Sequence, residues 1–288
     1  MDRTVSDGRV APTRGWFGRR VLGAVGVAAA LITPAAAIPL PLPDAKVAAA
    51  PREASPALWE VRDGDTTIYL FGTFHTLDER TLWFDRSVRA AFDRSGELVL
   101  ETIAPADPAR LREISRAVVG PRPAPSSFLA ATRAATEEGR AEGLTVDRGA
   151  DAVLRRAAAD QGMSLTGIEP FSEQLRTFVR IAAAPPGPAP ILAAPRPSAP
   201  VTLGSLLTAW KAGDTRTITA MLAGFEAKSP FAYRLLIADR NALYGEWIAQ
   251  RLDQPGTVFV AVGSGHLAGK DSVQNWLFAK GIAARRIG

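Results

Sequence analysis

The sequence predicts an α/β fold: a central mixed, mostly parallel sheet with an N-terminal β-hairpin, flanking helices and a helical insertion. Three observations lead there. Leu58-Trp59-Glu60-Val61-Arg62 and residues 66–71 are alternating or apolar runs on either side of Asp63-Gly64-Asp65, which is hairpin patterning. Strand-like and helix-like stretches then alternate, the pattern of parallel sheets with right-handed crossovers. Finally, the two histidines of this chain both close the motif G-x-x-H after a β-branched and aromatic run, at Gly72-Thr73-Phe74-His75 and Gly263-Ser264-Gly265-His266.

Each element has its own signal. Residues 85–94 form a helix burying Val88, Ala91 and Phe92, Gly96 stops it, and Glu97-Leu98-Val99-Leu100-Glu101 is the next strand. Residues 105–145 read as helical, with breaks at Pro121, Pro123 and Pro125. A helix from Asp147 buries Val153, Leu154, Ala157 and Ala158 and ends at Gly162. Leu165-Thr166-Gly167-Ile168 is a short strand running into Glu169-Pro170. The helix over 172–181 puts Phe171, Leu175 and Phe178 on one side, and the Pro/Ala tract 185–200 is a surface loop. Helices follow over 203–211 and 215–225, the second capped by Asp214. Ser229-Pro230, N-cap and first-turn proline, opens one long helix to about Leu252. Residues 257–262 are the last strand and 272–280 the closing helix.

Composition narrows the chemistry. Cysteine is absent, so disulfides, thiolate nucleophiles and Cys-based zinc sites are excluded. The formal charge of +5 is concentrated at the start: residues 1–37 hold five arginines against two aspartates, leaving +2 for the rest. No basic stripe with interleaved aromatics suggests nucleic acid. Arg19-Arg20, the apolar run 21–32 and Pro34-Ala35-Ala36-Ala37 read as a signal peptide over 1–37, and 38–56 as a Pro/Ala-rich linker. The α/β domain then spans 57–288. The expected location is the periplasm or cell envelope; an uncleaved N-terminus would instead associate the protein with a membrane.

Four predicted strands end in His75, Glu101, Glu169 and His266, and ligands of open α/β sheets bind at the carboxyl ends of strands. Two imidazoles with one or two carboxylates match a catalytic metal site, for Zn, Mn, Fe or Co. The same groups would serve metal-free acid–base hydrolysis. The ordinary readings are blander. A histidine after a strand is often a loop residue, Glu169 could cap the next helix, Arg240 could be a solvated charge, and Asp151 suits a helix N-terminus. Gly72, Thr73, Gly263, Ser264 and Gly265 are candidate substrate-binding positions, because glycine lets backbone approach a ligand and Gly263-Ser264-Gly265 could form an N–H nest.

At these residues the sequence resembles the TraB/GumN family, related to the Tiki metalloproteases. The likeness rests on Leu58-Trp59-Glu60-Val61, Tyr69-Leu70-Phe71-Gly72-Thr73-Phe74-His75, Leu100-Glu101 and Val262-Gly263-Ser264-Gly265-His266-Leu267. Gly149-Ala150-Asp151, Gly167-Ile168-Glu169 and Arg240-Asn241 resemble further blocks, with Asp239 where Glu is expected. The resemblance implies an α/β domain with a metal-dependent hydrolase site. On it, His75, Glu101 and His266 are the expected ligands of a divalent ion (Zn, Mn or Co). Glu169 is the expected base or fourth ligand, and Arg240 the group that meets substrate or transition-state charge. The substrate would be a peptide or another small carbonyl compound. Two alternatives stand beside this: a non-catalytic periplasmic binding or accessory protein, and a metal-free His/Glu esterase.

Overall fold

The computed structural model describes residues 54–84, 86–120, 127–184 and 202–288. The expected signal peptide, nearly all of the 38–56 linker, Pro121, Pro123, Pro125 and the 185–200 tract lie outside the described residues. Strands β1 (Leu58–Arg62) and β2 (Thr66–Thr73) form the expected hairpin, with Leu58 opposite Phe71 and Arg62 opposite Thr67. Asp63 closes its turn, Oδ1 accepting the Thr66 N–H at 2.9 Å. Helix α1 (Arg86–Phe92) leads to β3 (Glu97–Leu100).

Strands β2 and β3 point the same way but are not neighbours. β5 (Gly256–Gly263) lies between them and is parallel to both, while β4 (Ser164–Gly167) extends the sheet beyond β3. A sixth strand, β6 (Ala284–Arg286), pairs antiparallel with β1 and completes the order β4-β3-β5-β2-β1-β6. The sequence reading missed β6. Three residues of Ala-Arg-Arg carry no alternation, and pairing with the hairpin alone makes them a strand.

The middle strands are buried on both faces, as parallel strands between helical layers must be. On one face Phe71 stacks on Trp83 at 5.3 Å, with Trp210 edge-on at 6.4 Å. On the other, Ile68, Leu70, Val258 and Val260 meet Tyr244, Ile248 and Leu277. Each such side chain contributes about 1.5–3 kcal/mol when removed from water. A one-residue slip would exchange the faces, so double-sided burial pins the register that positions the strand ends.

The helices are α2 (Pro108–Val119), α3 (Ser127–Ala141), α4 (Ala150–Asp160), α5 (Phe171–Ala183), α6 (Leu203–Lys211) and α7 (Thr215–Lys228), with α10 (Val273–Ala279) near the end. Asp214 caps α7 as expected, accepting the Arg216 N–H at 3.0 Å. The helix expected from Asp147 starts at Ala150, after a 3-10 turn over Val146–Arg148. Its buried stripe is Ala150, Leu154 and Ala158; Val153 and Ala157 are half-buried.

The long helix expected from Ser229 to Leu252 is interrupted. It consists of α8 (Pro230–Tyr233), a π-helical turn over Arg234–Ala238, and α9 (Asp239–Arg251). Ser229 makes no side-chain capping bond. The wider turn buries Leu235, Leu236 and Ile237 and precedes the inward-facing Arg240 and Asn241. Such turns insert a residue into an α-helix and cluster at functional sites. Among the described residues no helix is long and apolar enough to cross a membrane.

Candidate functional site

The site follows from strand register. Thr73 pairs with Gly263 across β2 and β5, Leu100 with Ala261 across β3 and β5, and Leu100 with Gly167 across β3 and β4. Four parallel strands therefore end at nearly one level, and the residues just beyond them are His75, Glu101, Glu169 and the turn holding His266. Both G-x-x-H motifs meet there although residues 76–262, with most of the helical layers, lie between them in the chain.

Each histidine is held by its Nδ1, which turns Nε2 inward. His75 Nδ1 lies 2.6 Å from Asp151 Oδ2, and His266 Nδ1 lies 2.6 Å from Asn241 Oδ1. Asn241 is itself fixed, its Nδ2 donating to the Asp271 carbonyl at 2.6 Å. Gly149 makes the His75–Asp151 contact feasible: a Cβ there would fall 2.0 Å from the His75 carbonyl oxygen, so the start of α4 can press against the His75 backbone. Burial alone would lower the His75 imidazole, but the charge and hydrogen bond of Asp151, with Glu101 behind, raise it to about 9. His266 lacks such a carboxylate partner at Nδ1. Burial, helped by Arg240 and His75 and opposed by Glu101, lowers it to about 3.

Arg240 ties the carboxylates together. Its Nη2 donates to Glu101 Oε2 at 2.7 Å, its Nε donates to Glu169 Oε1 at 2.8 Å, and its Nη2 also reaches Glu169 Oε1. Tyr244 donates its hydroxyl to the same Glu169 oxygen at 2.7 Å, and its ring stands 5.0 Å from that of His266. Glu101 Oε1 accepts the Gly263 N–H at 2.6 Å and lies 3.5 Å from His266 Nε2. Burial works to raise the Glu101 carboxyl, yet Arg240, the two histidines and the Gly263 N–H hold it well below the usual carboxylate range. The guanidinium is raised in turn: its partners outweigh the burial that would lower it.

Gly263 marks where these groups converge. A Cβ on it would lie 3.1 Å from Glu101 Oε1, 3.2 Å from His75 Nε2 and 3.7 Å from His266 Cδ2. A cavity opens here, lined by His75, Glu101, Arg240, His266 and the 263–265 turn. Of the expected substrate-binding positions, Gly263, Ser264 and Gly265 line it, whereas Gly72 and Thr73 do not. The Gly72 carbonyl accepts from Trp210 Nε1 at 2.7 Å, and Thr73 is buried with its hydroxyl unpartnered. The expected N–H nest is narrower than the sequence suggests, because Glu101 already takes the Gly263 N–H. Glu169 does not cap α5, whose N-cap is Pro170, and Arg240 is no solvated charge. Asp239 stays away from the cluster and pairs with Arg234 at 3.5 Å. Among the described residues, no three His, Asp or Glu side chains stand as a preformed metal site.

Three members of the cluster escaped the sequence reading as functional groups: Asp151, Asn241 and Tyr244. The last two had a signal. Tyr244 sits four positions after Arg240, on the helix face that Arg240 turns inward, and Asn241 stands beside Arg240 in a block that resembles the family's. The TraB/PrgY/gumN family model matches residues 57–123 and 109–286, stretches that contain every group of the cluster. The chain belongs to this family. No curated protein and no solved structure matches it. In this TraB/PrgY/gumN member, the early and late G-x-x-H motifs are spatial neighbours, and Gly149-Ala150-Asp151 and Arg240-Asn241 supply the groups that orient the two histidines.

Proposed function

We propose that this TraB/PrgY/gumN protein is a metal-dependent hydrolase, peptidase-like, with His75, Glu101 and His266 as ligands of one divalent ion (Zn, Mn or Co). One observation carries the reading. Two imidazoles tethered at Nδ1 turn Nε2 toward a carboxylate, and all three approach the same point beside Gly263. Metal-ligating histidines almost always have their second nitrogen tied to a carboxylate or carbonyl in this way. The 3.5 Å between His266 Nε2 and Glu101 Oε1 suits two ligands of one ion, which stand roughly 3.3 Å apart in a tetrahedron with bonds near 2 Å.

The charge balance supports the same reading. Glu101, Glu169 and Asp151 oppose Arg240 and a His75 imidazole raised to about 9; once His75 gives up its proton to hold a metal, the cluster has a formal charge of −2. That complements a divalent cation. When bound, such an ion lowers the pKa of its water and polarises a carbonyl.

The protein's own groups then have distinct tasks. Asp151 and Asn241 fix the imidazole rings, Arg240 fixes Glu101 and Glu169, and Tyr244 fixes Glu169 as well. Gly263, Ser264 and Gly265 give a peptide or similar carbonyl substrate a backbone surface to lie against. The buried strands and helix α9 keep water from the rear of the site.

The test is metal content and peptide hydrolysis in the purified domain, in His75→Ala and in His266→Ala. Bound metal and chelator-sensitive hydrolysis that both variants lose are expected. Hydrolysis unaffected by chelators points to a metal-free esterase. Neither metal nor hydrolysis, with the variants unchanged, points to a binding or accessory protein. Export to the periplasm or envelope belongs to the same proposal, and N-terminal sequencing of the envelope fraction checks cleavage near residue 37.

A further inference from the structure

We infer that the cavity beside the histidines is a subsite for one uncharged, apolar side chain next to the bond that is cleaved. This inference rests on the hydrolase reading and adds its substrate class. The cavity has two unlike ends. Its polar end is the cluster already described. Its other walls come from α7, through Ile218, Met221, Leu222 and Phe225, and from the π-helical turn, through Leu236 and Ile237. The α7 residues recur at i, i+3, i+4 and i+7, so one continuous helix face looks into the site. The charged side chains on the lining all stand at the polar end and already have partners: Glu101 and Arg240 bond to each other at 2.7 Å, and His75 is tied to Asp151 at 2.6 Å. A charged substrate group entering this end would lose water without gaining a counter-ion, whereas an apolar one gains by burial.

A purely hydrocarbon ligand would leave the polar end unused, so the occupant carries a carbonyl group as well as an apolar branch. Met221 and Phe225 are half-buried while Leu222 is buried, so the first two form the accessible wall and Leu222 its floor. Methionine's unbranched thioether adapts to different shapes, which suits both branched aliphatic and aromatic groups.

The test is binding of the N-acetyl amides of leucine, phenylalanine, aspartate and lysine to the full domain, by calorimetry, with hydrolysis of matched fluorogenic amides measured separately. The leucine and phenylalanine amides are expected to bind at least about tenfold more tightly than the charged pair. Met221→Lys should abolish that preference and Met221→Leu should keep it, with thermal unfolding of both variants checking the fold. Equal binding of all four amides, or a preference that Met221→Lys leaves intact, overturns the subsite. Apolar preference without hydrolysis under any added metal supports the subsite and sinks the hydrolase reading. Hydrolysis without side-chain preference does the reverse.

Discussion

His75 and Asp151 form a 2.6 Å hydrogen bond across 76 residues of chain, and that bond decides which ring nitrogen faces the cavity. Removing it frees the imidazole to rotate. Asp151→Ala is expected to weaken divalent-metal binding about 10–100-fold, the usual effect of losing a group that orients a metal ligand. Asp151→Asn retains an acceptor but not the charge, so it should fall between the two. Competition titration against a chromophoric chelator measures all three proteins. Equal affinity in Asp151→Ala and the parent would remove Asp151 from the site.

Gly263 lacks a side chain where the reactive groups meet. Its backbone, at φ −53° and ψ 138°, is open to any residue, so conformational strain is not what excludes alanine. The obstacle is contact at 3.1–3.2 Å with Glu101 and His75. Gly263→Ala should cost about 1–3 kcal/mol of stability, the range for an added methyl in a packed region. Hydrolysis should drop about 100-fold, because small misplacements of reacting groups are that costly. Urea denaturation and turnover measured on one preparation separate the two effects. Loss of activity only in step with loss of folded protein would refute the role.

How much of this was legible in the sequence depends on the range of each interaction. The hairpin, the parallel strands and their ends at His75, Glu101, Glu169 and His266 follow from β-branched runs broken by glycine or followed by a helix, which are local signals. The order of the strands is not local. Nothing in residues 256–263 says that they insert between β2 and β3. The π-helical turn was also hidden, because Arg234–Ala238 has ordinary helical composition. Asp151 reads as a favourable charge at a helix N-terminus, and Arg240 as a group for substrate charge, neither as the partner of a residue far off in the chain. Their partners lie 76 and 139 residues away, beyond any periodicity.

Asp214 offers a pH test remote from the site. Its carboxylate accepts from the Thr217 hydroxyl and the Arg216 N–H, and these bonds hold it below its ordinary value of 3.8. The folded pKa is depressed, so the stabilisation is fully present above 3.8 and disappears as pH falls through the lower folded value. Asp214→Ala should lower Tm by about 2–4 °C at neutral pH, the loss of an N-cap in a domain of this size. The Tm gap between variant and parent should persist at pH 5 and close in stronger acid. Thermal melts followed by circular dichroism give that curve. A gap independent of pH would assign the effect to packing.

Arg240 and Glu169 set the last expectation. The guanidinium is the shared partner of two buried carboxylates, so Arg240→Met leaves both Glu101 and Glu169 without it, and a broken buried pair typically costs about 3–5 kcal/mol. Lysine should rescue little, because one ammonium cannot reproduce the separate Nε and Nη2 bonds to two carboxylates. Glu169→Gln should be milder, since the amide oxygen can still accept from Tyr244. If Arg240 acts through these carboxylates, the double variant Arg240→Met/Glu169→Gln should be more stable than the sum of the single losses predicts. A coupling of about 0.5–3 kcal/mol is expected. Urea denaturation of the four proteins closes the cycle. Strict additivity would mean that Arg240 and Glu169 are independent, and that the short contacts between them do not stabilise the site.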